Sequence, residues 1–289
     1  MDIAANTIDS LYAQITRDIL WNGESVTTRG LNFKERRFQS YKLINPRARL
    51  IQNPARKLSK RFAMAEFVWI MAGKCDLNQI SFYNKRMRDF SDNGVDLNGA
   101  YGPRLRHWQS PGGDFDQIKG VIERLKKDIY TRQAVIVILD PKKDFSSPTK
   151  DVPCNNYLQF LYRDGALHLM CYVRSNDLFL GFPYDVFDWT MFQEVIANEL
   201  NVELGSYYHI VGSMHIYDND ITKMREILDN YTTMDVSVPM TPMPKETSIQ
   251  IFEDLNKYEV SYREGNVEYC ANELILPDWW KEKAEWLIK

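Results

Sequence analysis

The chain lacks the features that would assign it quickly to several broad classes. No apolar run approaches the roughly 18 residues of a membrane span, and the opening MDIAANTIDS has neither a basic n-region nor an apolar h-region. A cytoplasmic protein with no membrane association is therefore expected. There is no excess of positive charge: 36 Lys and Arg face 39 Asp and Glu, a net charge of -3. Without a basic footprint, nucleic acid is not expected as the main ligand, although a few converging arginines suffice for a small anion. Cysteine is scarce. Cys75, Cys154, Cys171 and Cys270 show no C-x-x-C and no metal-ligand spacing, so a reduced protein with no bound metal is expected. Repeats and low-complexity linkers are also missing, and residues 1–289 are read as one domain. Apolar and aromatic residues, at 44% and 13%, are plentiful enough for a sizeable core.

The sequence between Val152 and Trp189 organises the rest. Two strand-like runs, YLQFLYR and ALHLMCYVR, flank Asp164-Gly165, a hairpin signal. The second run ends in Arg174-Ser175-Asn176-Asp177, and Pro183 then opens a long apolar-periodic helix, a position proline favours. Strand end, polar loop and helix start together make an anion and small-molecule site.

Around it, helices are expected over 7–20, 55–73, 77–90, 114–128 and 221–231, with an edge hairpin carrying Arg29-Gly30. A buried strand is expected in TRQAVIVILDP, and a long strand bears His215 and Tyr217 on one face. The tail from Met240 reads as weak strands ending in DWWKEKAEWLIK, either a small helix packing its tryptophans or a flap. Glu66 is the one carboxylate in FAMAEFVWIMAG. It either reaches the helix rim or, if held in apolar surroundings, becomes a general acid or base.

Cys154 stands behind Pro153 at a strand entrance. A thiol becomes a nucleophile where cations or helix termini favour the thiolate, and Arg174 lies one hairpin away. A lone cysteine is otherwise an inert core residue, and no Cys-His spacing supports a cysteine protease.

The ordered pattern PC…QF…G.L….Y.RS.D..LG.P, followed by G..HIY, resembles the thymidylate synthase family from about Glu66 to Tyr217. The resemblance implies an α+β fold, a three-layer α/β/α arrangement around a large twisted mixed sheet, and a homodimer. It also implies C5 chemistry on a pyrimidine nucleoside monophosphate with 5,10-methylenetetrahydrofolate as co-substrate. Position by position, Cys154 resembles the nucleophile that adds to C6. Arg29, Arg174 and Ser175 resemble the phosphate ligands, and Arg132 the arginine lent across the dimer. Glu66 resembles the glutamate that orders water, Tyr101 the site-loop tyrosine, and Asp177 the aspartate at the folate pterin. His215 and Tyr217 resemble the pair on the sugar 3′-hydroxyl.

Four positions depart from the family. Gln133 replaces a second arginine beside Arg132, Asn155 a histidine after the cysteine, and Val173 a glutamine before Arg-Ser. Asp185 replaces the uracil-reading asparagine after Pro-aromatic. An ionised carboxylate only accepts hydrogen bonds, so it repels uracil O4 but accepts from the cytosine amino group. The alternative is a carboxylate that merely favours a helix N-terminus. The expected function is hydroxymethylation of dCMP or CMP. Uridylate methylation or hydroxymethylation stands as its rival, and a non-catalytic nucleotide- or RNA-binding relative as a reading of another class.

Overall fold

The computed structural model describes residues 3–231, 237–266 and 275–289. In chain order the elements begin β1 (Ile3–Ala5), α1 (Ile8–Asn22), β2 (Glu24–Thr28), β3 (Leu31–Leu43), α2 (Lys60–Met71) and α3 (Leu77–Tyr83). Next come α4 (Tyr101–Arg106), β4 (Trp108–Ser110), β5 (Gly113–Phe115), α5 (Gln117–Lys127), β6 (Val135–Val137) and α6 (Pro141–Phe145). The chain continues with β7 (Asn155–Arg163), β8 (Ala166–Val173), β9 (Asn176–Asp177), α7 (Phe182–Glu199) and β10 (Glu203–Tyr217). It ends with α8 (Ile221–Asp229), α9 (Ile251–Arg263) and α10 (Asp278–Ala284). The α+β class expected from the sequence, built around a large mixed sheet, is what the chain adopts.

Two compact units divide the chain, each assembled from three segments. The first comprises Met1–Leu58, Cys154–Glu194 and Val202–Pro242; the second comprises Ser59–Pro153, Val195–Asn201 and Met243–Lys289. The first unit carries the sheet, in the order β1-β3-β10-β8-β7, with β2 added to β3 and β9 to β10. β10 runs antiparallel to β3 but parallel to β8 and β9, and β7–β8 is an antiparallel hairpin. Its turn is Asp164-Gly165, at φ 52 and 80, so both residues take the left-handed conformation of a type I′ hairpin loop. Arg29-Gly30, at φ 52 and 76, closes the β2–β3 hairpin in the same way.

Two register shifts decide which side chains face the core. In β7 the pairing moves from Asn155↔Val173 to Tyr157↔Tyr172, an extra residue that forms a β-bulge. In β10 it moves from Leu204↔Leu167 to Tyr207↔Leu169. The second bulge is filled by the Gln193 amide, which donates to the carbonyls of Leu167 and Gly205 at 2.8 and 3.1 Å. The His168 ring also accepts there, from the Ser206 N–H at 3.0 Å. Phe182 of α7 then packs edge-on to Tyr41 and His209 and stacks on Tyr12 of α1. A fully buried Arg49 pairs with Glu194, which also accepts from Arg47 at 2.7 Å.

The second unit is mainly helical. Its buried Arg104–Asp144 pair is completed by donation from Arg104 to the Ile138 carbonyl at 2.7 Å. Trp280 of α10 is fully buried, edge-on to Phe252 at 5.4 Å, and its indole N–H donates to Thr247. The tryptophan-bearing end is thus a packed helix, as one of its two readings expected.

Three expectations need correction. Residues 251–263 are helix α9 rather than weak strand, because Ile251, Phe252, Leu255 and Tyr258 recur at helical spacing and are buried. The strand in TRQAVIVILDP shrinks to Val135–Val137, whose outer two residues are exposed. The helix beginning at Leu77 stops at Tyr83, where the Asn84 side chain caps a short 3₁₀ turn. Part of the tail, residues 267–274 with Cys270, lies outside the described residues.

Candidate active site

The hairpin β7–β8 brings Cys154 and Arg174 together. The Arg174 N–H donates to the Cys154 carbonyl at 2.9 Å, continuing the ladder one pair beyond the strands. A guanidinium nitrogen of Arg174 lies 3.7 Å from the Cys154 Sγ. The thiol is half-buried and the arginine exposed. A half-buried thiol beside a fixed cation is the arrangement that favours a reactive thiolate. Gly212 permits this geometry: a Cβ there would sit 2.6 Å from the Arg174 carbonyl.

Beyond Arg174 and Ser175 the chain forms β9 against β10, pairing Asp177 with His215. Asp177 Oδ1 accepts from the N–H groups of Phe179 and Leu180 at 2.8 and 3.2 Å. Burial raises its pKa, against the pull of those donors and of His215. Burial in turn lowers the pKa of His215, opposed by Asp177. Phe33, His215 and Tyr217 form an aromatic cluster with centroids 4.9 to 5.8 Å apart. Burial raises the Tyr217 pKa, Asp177 and Cys154 add to the rise, and Arg29 opposes it. Tyr217 therefore senses Cys154, Arg29 and Asp177 together. Arg29 occupies a left-handed position that non-glycine residues adopt at a cost of about 1–2 kcal/mol, and such strain gathers at functional sites.

Asp185 opens the second face of the site, in the first turn of α7. Its Oδ1 accepts from the Asn155 amide at 2.8 Å and its Oδ2 from the Asn176 amide at 2.7 Å. Gly181 makes room, since a Cβ there would meet Asn176 Nδ2 at 2.9 Å. Burial pushes the Asp185 carboxyl up to about 6, even though the two amide donors favour its ionised form. It is a carboxylate poised near neutrality, and the groups that hold it among the described residues are neutral amides rather than cations.

The residues singled out from the sequence fall into two groups. Cys154, Arg174, Ser175, Asp177, Asp185, His215, Tyr217 and Arg29 all belong to the first unit. Glu66, Tyr101 and Arg132 belong to the second. There Glu66 is half-buried on α2, Tyr101 opens α4, and Arg132 is exposed before β6. Gln133, which stands where the family has a second arginine, accepts from Arg124 at 2.6 Å, so a guanidinium is present next to it by another route. The sequence reading missed the side chains behind Asp185: Asn176, Cys171, Trp189, Tyr207 and His209. Among the described residues no cluster of His, Cys, Asp and Glu has the makings of a metal site, and no helix is long and apolar enough to cross a membrane.

Comparison with known proteins gives the family. A family model described as thymidylate synthase matches residues 10–263. A protein of Bacillus phage SP01 described as deoxyuridylate hydroxymethyltransferase is 40% identical over 218 residues. The match takes in 73% of this chain and 57% of the phage protein, so the chain spans little more than half of that relative's length.

Proposed function

We propose that this chain, which belongs to the thymidylate synthase family, adds a hydroxymethyl group to C5 of a cytidylate, dCMP or CMP. The nucleotide, 5,10-methylenetetrahydrofolate and water give the 5-hydroxymethyl nucleotide and tetrahydrofolate. One observation carries the choice of base: an acid, Asp185, at the position where the family reads uracil with an amide, braced by two amide donors. Ionised, it faces uracil O4 acceptor to acceptor, a mismatch that costs heavily in a buried site. Cytosine instead offers its amino group to one oxygen and a basic N3 that shares a proton with the other.

In this reading Cys154 attacks C6 as the thiolate, favoured by Arg174. Asp185 accepts from the amino group and supplies the N3 proton as the ring gains electron density, leaving C5 nucleophilic. Arg174, Ser175 and Arg29 bind the phosphate, joined by Arg132 of a second subunit in a homodimer. His215 and Tyr217 hold the sugar hydroxyl. When bound, the folate supplies the one-carbon unit. Asp177 suits its polar ring edge, since Oδ1 is fixed by backbone donors while the residue remains half-exposed. Tyr101 is given a place beside the folate, and Glu66 the ordering of the water, on the family motif alone. In this reading residues 1–289 form one catalytic domain.

A second reading, hydroxymethylation of a uridylate, is favoured by the description of the phage relative. One assay separates the readings: dCMP, CMP and dUMP, each with methylenetetrahydrofolate, scored by product mass and by dihydrofolate absorbance. Hydroxymethylcytosine without dihydrofolate is expected. Hydroxymethyluracil would replace the base assignment, and a methylated product with dihydrofolate would overturn water capture as well.

A further inference from the structure

Behind Asp185 runs a line of buried polar side chains for which the chemistry above has no use. His209 Nδ1 lies 2.9 Å from the Tyr207 hydroxyl. The Cys171 thiol lies 2.9 Å from Asn155 Oδ1, and Tyr207 and Cys171 act on each other's ionisation. The indole nitrogen of Trp189 reaches the same oxygen at 3.1 Å. Asn155 then donates to Asp185. Cys171, Tyr207, His209 and Asn155 are fully buried, and Trp189 is 1% exposed.

The direction of each bond follows from the chemistry of its ends. An indole N–H only donates, so the Asn155 oxygen faces Trp189 and its NH₂ must face Asp185. An amide oxygen only accepts, so the Cys171 S–H points at it. Burial keeps the Cys171 thiol protonated and so able to donate. Burial also keeps the Tyr207 phenol protonated and pushes His209 down to about 3, so this pair is neutral. Cys171 and Trp189 thus turn the Asn155 amide toward Asp185.

We infer that Cys171 and Trp189 form a donor chain through Asn155 that locks its amide toward Asp185, making them positioning residues for base selection. The inference rests on the proposed role of Asp185. Its physical content is that aligned donors polarise one another and keep Asp185 an acceptor against the pull of burial. The chain exists because of the β7 bulge, which turns Asn155 onto the face that carries Cys171. Around the carboxylate the groups are Asn155 from β7, Asn176 from β9, Cys171 from β8 and Tyr207 from β10, while Asp188 on α7 acts on Tyr207.

The test titrates Asp185 directly, by the ¹³C shift of its side-chain carboxyl in the intact protein, so its outcome does not depend on which nucleotide is the substrate. Cys171→Ala removes a donor to the Asn155 oxygen and raises the titration midpoint, about a threefold gain in proton affinity. Cys171→Ser, which still donates and accepts, returns it toward wild type. Trp189→Phe acts like Cys171→Ala, and the double variant exceeds either single one. The two single variants and the serine rescue cover the case in which the double variant does not fold. At pH 7 the same variants select cytidylate over uridylate less sharply. Midpoints unchanged in Cys171→Ala and Trp189→Phe, with both folded, overturn the chain. Shifted midpoints in an enzyme that uses only uridylate leave the chain intact and overturn the base assignment.

Discussion

Cys154 and Asn155 are neighbours in the chain, yet they serve opposite faces of the hairpin and opposite treatments of negative charge. On the Cys154 face a guanidinium 3.7 Å away supports an anion at a half-buried atom. On the Asn155 face the donors to Asp185 among the described residues are two neutral amides, and burial leaves it poised at about 6. The first device favours one charge state of its group. The second leaves a group able to change state during the reaction. A nucleophile needs the former, and a residue that trades a proton with a ring nitrogen needs the latter.

The two faces part most sharply at Cys154, the proposed nucleophile. Cys154→Ser is expected to lower turnover on the order of 10⁴-fold while nucleotide binding persists in a thermal-shift assay. Retained turnover would remove covalent catalysis from the scheme. On the other face, Asp185→Asn exchanges an acceptor for an amide with one donor and one acceptor. It should reverse the preference between cytidylate and uridylate by roughly 10²–10⁴ in kcat/KM. If the variant still refuses dUMP while wild type refuses dCMP, Asp185 does not read the base. Next, Arg174→Lys keeps the charge but loses the planar fork, so kcat/KM should fall by about 10–100-fold. An unchanged value would mean that a point charge is all the Cys154 face requires.

How much of this was legible in the sequence differs between the faces for a physical reason. The hairpin, its Asp-Gly turn, the Cys-Arg pair and the acid at 185 follow from turn chemistry and motif. The partner of that acid does not. Counting by twos back from Phe160 and Leu158, strand alternation puts Asn156 on the core face and Asn155 on the other. The bulge reverses this, and nothing in NNYLQFLYR announces where an extra residue will be accommodated. Cys171 is buried and kept protonated by burial; the role inferred for it comes only from the neighbours the bulge supplies. Likewise α9 was missed although Ile251, Phe252, Leu255 and Tyr258 recur at helical spacing, because a mostly polar segment gains its helical stability from packing, with Phe252 edge-on to Phe67, rather than from its own propensity.

A finer test uses pH. Uracil can pair with Asp185 only when the carboxyl is protonated, whereas cytosine brings a basic nitrogen that holds the shared proton to higher pH. Selectivity of the wild type for cytidylate over uridylate should therefore rise through the region near 6, by about tenfold per pH unit at most. That of Asp185→Asn should stay flat, and parallel profiles for the two proteins would show that the carboxyl does not titrate in the selective step.

The smallest expected effect is on stability, and it needs no substrate. The Asp185 carboxyl is raised on folding from 3.8 to about 6, so between those values the native chain binds a proton that the unfolded chain has released. Stability from this group is complete below about 4 and is lost as the pH rises through 6. In Asp185→Asn the amide does not titrate, and whatever its NH₂ loses against the two amide donors is the same at every pH. The Tm of Asp185→Asn relative to wild type should therefore increase between pH 4 and pH 7. The expected gain is a few degrees, on the scale of about 3 °C per kcal/mol for a chain of this size. A difference in Tm that stays constant over that range would mean the two amides already hold Asp185 ionised, and the two faces would then treat negative charge alike.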